Sequence, residues 1–155
     1  MPETRNDHAA WEVTVDVATL TSTVGPNMVT VNSEHHFSLL NKVGGEVDFD
    51  IHYSLDLYEE LIVNGQSQWA LKGSEDFQKP YNDLPSDGVA RTHLDAEADP
   101  GPDIPYHLGT ACDKIVGRRY KAVAYTQIKP LTHLDEDWGD PRVIKFTREL
   151  EPFTA

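Results

Sequence analysis

Between Val47 and Leu57 every second residue is apolar. Val47, Phe49, Ile51, Tyr53, Leu55 and Leu57 alternate with Asp48, Asp50, His52, Ser54 and Asp56. A helix would mix the two sets on every face, whereas a strand sends successive side chains to opposite sides. The segment is therefore predicted to be a strand with one face in a core and one in water. A strand of that kind needs neighbours beside it and a second layer over its apolar face. Its length also predicts a bend or a bulge.

The flanking sequence supplies candidates for those neighbours. Trp11, Val13, Val15 and Val17 alternate with polar residues, and Thr19–Thr23 suits an extension of the same strand. Gly25-Pro26-Asn27 predicts a turn, Met28–Val31 a short strand, Asn32-Ser33-Glu34 a second turn, and His35–Leu40 a third strand. Residues 54–63 read two ways. One is a short helix with Leu55, Tyr58 and Ile62 on one face and Asn64-Gly65 as its cap. The other is a strand ending near Tyr58, then a hairpin of Leu61–Val63 and Gln66–Leu71 around Asn64-Gly65. The hairpin is preferred, because Asn and Gly both accept the positive φ of a type I′ turn. Further on, Arg119–Gln127 alternates again until Pro130, residues 131–141 form an acidic turn, and Arg142–Leu150 makes a last strand, expected to be largely buried or at a sheet corner.

From Gly73 to Asp113 periodicity fades under Pro80, Pro85, Pro100, Pro102 and Pro105. The span 76–113 is read as a long irregular acidic loop inserted into the fold. Residues 1–10 read as a disordered lead and 11–152 as a single β domain. The predicted class is mainly β: an antiparallel β-sandwich of jelly-roll or Greek-key type.

The 155 residues carry a formal net charge of −13. Phosphate backbones and anionic membranes would repel such a chain, so nucleic acid and membrane partners are not expected. Proteins, carbohydrates and further copies of the chain remain compatible. The single cysteine, Cys112, fits a reducing compartment, and the polar N-terminus has no apolar core of a secretory signal, which favours the cytoplasm.

No cofactor motif, nucleophile elbow or phosphate-cradling loop is present, which favours a non-enzymatic binding or self-assembly module. Its contact surface is expected on loop 76–113 and the acidic turn 133–140, with Trp138, Tyr81 and Tyr106 as contact rings. The competing reading is a small enzyme using His52 as acid/base with Asp50 or Asp56, on the polar face of strand 47–57. A third is a domain stabilised by Ca²⁺, with Asp135, Asp137 and Asp140 as oxygen ligands; Asp95, Glu97, Asp99 and Asp103 form a second, looser acidic group. Cys112 is followed by Asp113, which opposes a thiolate, so a structural cysteine is expected.

Overall fold

The computed structural model describes residues 3–5, 11–42, 45–92, 104–131 and 143–155. Among these residues there are nine strands and no helix. They are β1 (Glu3–Arg5), β2 (Trp11–Val24), β3 (Met28–Asn41), β4 (Val47–Val63), β5 (Gln66–Leu84), β6 (Val89–Arg91), β7 (Tyr106–Asp113), β8 (Arg119–Pro130) and β9 (Ile144–Thr154). They form two antiparallel sheets. One runs β1-β2-β3-β6, with β7 also paired to β3; the other runs β5-β4-β8-β9.

The two sheets share one core. Val47, Phe49, Ile51, Tyr53, Leu55 and Leu57 of β4 are all fully buried, as their alternation requires. Phe49 meets Trp11 edge-on at 6.3 Å and Phe37 at 6.1 Å, both from the opposite sheet, and stacks on Tyr81 at 5.1 Å. Rings in these geometries add to the area they remove from water.

β3 runs through the turn expected at Asn32-Ser33-Glu34. Its buried positions are Val29, Val31, Ser33, His35, Phe37, Leu39 and Asn41, one unbroken alternation. Polar residues at Ser33 and His35 hid that period, and they are tolerated because they satisfy one another. The Ser33 hydroxyl lies 2.7 Å from His35 Nε2, and His35 Nδ1 lies 3.0 Å from Thr126 Oγ1. Thr126 spends its own proton on the Asp16 carbonyl at 2.7 Å, so His35 carries its proton on Nδ1 and accepts from Ser33. Burial, reinforced by the neighbouring His36, pulls the His35 pKa down to about 4.

Asn64 (φ 52°) and Gly65 (φ 78°) form the expected tight hairpin, so the helical reading of 54–63 is set aside. β4 does not stop near Tyr58, however, but continues to Val63 through a register shift between Leu57 and Tyr58. The irregular loop expected over 76–113 is also corrected where it is described. Residues 76–84 belong to β5, 89–91 are β6 and 106–113 are β7; residues 93–103 lie outside the described set. β5 is a mostly exposed edge strand, so it lacks the apolar period that marks half-buried strands. β9 is likewise exposed along most of its length rather than buried.

β2 bulges between Val17 and Thr19. Arg148 of β9 reaches across and donates to the carbonyls of Val17 (3.0 Å) and Ala18 (2.8 Å), which a bulge removes from regular pairing. This contact ties the two sheets together along one side.

Candidate functional site

His52 lies on the outer face of the β5-β4-β8-β9 sheet, partly covered, with both ring nitrogens engaged. Nε2 is 3.3 Å from Asp76 Oδ2 and Nδ1 is 3.1 Å from the Tyr125 hydroxyl, whose ring stands perpendicular to the imidazole. Burial raises the Tyr125 pKa, and the charges of Asp56 and Asp76 raise it further, against a hydrogen bond from Ser54 that lowers it. Tyr125 thus stays a phenol, a group that can donate to Nδ1 or accept from it.

The acid that reaches His52 is therefore Asp76 on the neighbouring strand, and not Asp50 or Asp56. In the β4–β5 ladder His52 pairs with Gln78 and Ser54 with Asp76, so Asp76 is a diagonal neighbour of His52 on the same face, within reach of a long side chain. Asp56 accepts from Ser74 at 2.7 Å and from Tyr58 at 3.5 Å. Asp50 stands between Pro80 and Lys129 in the ladder. Both nitrogens of the His52 ring are thus hydrogen-bonded within the protein, one to a carboxylate and one to a hydroxyl.

Tyr81 and Tyr106, expected as contact rings, both pack against other rings, and Tyr106 stays half-exposed. Tyr81 is buried against Phe49, and Tyr106 lies 4.7 Å from Phe77 and 5.2 Å from Tyr53. Trp138, Asp135, Asp137 and Asp140 lie outside the described residues, as do Asp95, Glu97, Asp99 and Asp103. Among the described residues no group of three or more His, Cys, Asp or Glu side chains is placed to hold a metal ion. Cys112 is half-buried beside the core; burial, Glu59 and Asp113 push its thiol pKa up, away from nucleophilic use.

A different feature emerges at one end of the molecule. Nine large apolar side chains are exposed among the described residues, and seven come from three turns at this end. Val24 and Met28 flank the β2–β3 turn. Ile62, Val63 and Leu71 belong to the β4–β5 hairpin. Ile115 and Val116 lie between β7 and β8, where Val116 is 82% exposed. The ladders bring the turns together: Met28 pairs with Asp113, Glu59 pairs with Tyr120, and Lys114 N–H donates to the Asn27 carbonyl at 2.9 Å. Sequence reasoning missed this cluster because its parts are far apart in the chain; the only local signal was an apolar pair, Ile115-Val116, inside a turn.

Below the hairpin the surface is built on an ion pair between a buried carboxylate and an exposed guanidinium. Glu59, 2% exposed, accepts from Arg118 at 3.0 Å and from the Tyr120 hydroxyl at 3.1 Å. On the outer face, Lys121 Nζ lies 4.7 Å from the Trp69 ring and 5.6 Å from that of Tyr58. Arg119 pairs with Glu60 at 3.1 Å, which also accepts from Ser67 at 2.8 Å. Trp69 and Lys121, with Glu149, Leu150, Glu151 and Pro152, line a shallow cleft of about 150 Å³. The cleft opens where the β8–β9 register shifts between Tyr120 and Ala122.

No protein-family model matches the chain, and no curated protein sequence matches it.

Proposed function

We propose that the protein is a non-enzymatic β-sandwich module that assembles with copies of itself through the end bearing Ile62, Val63, Ile115 and Val116. The observation that carries this reading is the gathering of exposed apolar side chains from three separate turns onto one end. Scattered apolar residues on a surface are ordinary, but a contiguous group marks a contact surface. Charge points the same way. Two chains of net charge −13 repel, and association is least opposed where apolar side chains dominate. The competing enzyme reading would have to use His52 together with Asp76 and Tyr125, its hydrogen-bond partners, rather than with Asp50 or Asp56. The same proposal takes the connectivity as Greek-key-like, since β3 to β4, β5 to β6 and β7 to β8 each carry the chain from one sheet to the other.

The test is sedimentation velocity over about a hundredfold range of concentration. The parent chain is expected to associate as concentration rises, and the Ile62→Asp/Val116→Asp variant to associate about tenfold more weakly or worse. A parent chain that stays monomeric throughout rejects the reading.

A further inference from the structure

Beyond Glu59, where β8 stops pairing with β4, strands β4 and β5 continue alone as a two-stranded arm to the Asn64-Gly65 turn. β5 is the terminal strand of its sheet, so its far side presents main-chain N–H and C=O groups outward. Nearer the body, that side is closed off. Gly73 comes so close to β7 that a Cβ there would lie 2.6 Å from Thr110 Oγ1, and Glu75 accepts the Gly109 N–H at 3.0 Å. The body half of β5 also carries Lys72, Glu75, Asp76, Lys79, Pro80 and Asp83. The arm has neither protection. From Leu61 to Leu71 there is no charged residue, and Gln66–Leu71 has no Pro and no Gly.

Resting on the assembly reading above, we infer that Gln66–Leu71 of β5 pairs antiparallel with the same segment of a second copy, joining two four-stranded sheets into one across a two-fold axis. An open backbone edge calls for another strand, because only a strand meets alternating donors and acceptors. A second copy is favoured as that strand for two reasons. An antiparallel pair of identical segments is self-complementary about a two-fold. A segment without charges also brings no like charges opposite one another, whereas β9, the other edge of the same sheet, carries four charged residues. The arm itself gains, since a lone two-stranded hairpin is marginal in water. Pairing would set the exposed Leu71 and the half-exposed Trp69 of each copy against the neighbouring arm.

The experiment combines sedimentation with amide hydrogen exchange of the full chain, at low and high concentration. The expected result is a dimer whose residues 66–71 exchange at least about tenfold more slowly at high concentration. Gln68→Lys, on an exposed side chain, should weaken dimerisation about tenfold without changing the melting midpoint, and Gln68→Thr should preserve it. Should Gln68→Lys fail to fold, the exchange pattern of the parent chain decides. Protection confined to 24–28 and 114–117 would overturn strand pairing while leaving assembly through the apolar end intact. Species that grow past a dimer would overturn the two-fold. A parent chain that stays monomeric would overturn both readings.

Discussion

The sheet β5-β4-β8-β9 has two edges of very different character. β9 carries Lys145, Arg148, Glu149, Glu151 and Pro152 within eleven residues, so a strand approaching it meets charges and a missing donor. It also ties its charges to the body, since Arg148 caps the β2 bulge of the opposite sheet and Lys145 sits 4.1 Å from the Tyr125 ring on the outer face. The outer third of β5 offers nothing comparable. One sheet thus shows both ways of treating an edge. The lesson is that an unguarded stretch is informative when the same sheet guards the rest.

The largest expected effect tests what holds the unguarded arm in place. Arg118→Ala would leave the Glu59 carboxylate buried without its cation, and should cost about 2–4 kcal/mol of stability in urea unfolding followed by tryptophan fluorescence. A loss below about 0.5 kcal/mol would mean that the arm is anchored by packing alone.

A smaller effect separates the core from both edges. His35 has a pKa of about 4 when folded, against an ordinary value of 6.5, so protonation favours the unfolded chain. Its contribution is complete above pH 6.5 and is lost as the pH falls towards 4. Stability should drop by about 2 kcal/mol between pH 7.5 and pH 5. In His35→Gln that slope should vanish, as chemical unfolding at the two pH values would report. Dimerisation, measured on folded protein, should change little over the same range, because Gln66–Leu71 has no titratable side chain. A strong loss of association at pH 5 in still-folded protein would break the distinction between core and edge.

The smallest effect on the monomer comes from removing the guard. Lys145→Thr/Glu149→Thr/Pro152→Thr should alter stability by less than about 0.5 kcal/mol per exposed substitution. It should nonetheless create a second associating edge, visible in sedimentation as species larger than the dimer. If the stripped strand stays inert, charge is not what distinguishes the two edges.

How far the sequence discloses these features depends on how local their cause is. β4 is legible because its partners lie on both sides and its core face is apolar throughout Val47–Leu57. The β4–β5 turn is legible because Asn64-Gly65 needs only its own backbone conformation. β3 is misread as two strands because Ser33 and His35 occupy core positions with partners found only after folding. β5 is misread as loop because an exposed edge strand has no apolar period. The polar face of β4 does hold a hydrogen-bonded histidine, but its acid comes from a strand that alternation did not reveal. The apolar end is the least legible of all. Val24, Ile62 and Val116 are unremarkable singly, and become a surface only when three ladders set their registers.

The hydrogen bonds of Arg148 to Val17 and Ala18 also set a schedule. They join residues 131 and 130 positions apart, between the first long strand and the last. A ribosome delivers β2 about 130 residues before Arg148, so the bulge carbonyls wait through that whole stretch before their donor arrives. Long loops must close before such contacts reward them, which slows folding. During that interval the Gln66–Leu71 edge is already synthesised, uncharged and available. The segment proposed to join two finished copies is thus also one that nascent neighbours on a shared message meet before their own folds are complete. Rapid, crowded synthesis should therefore be the condition under which this protein is most prone to misassemble.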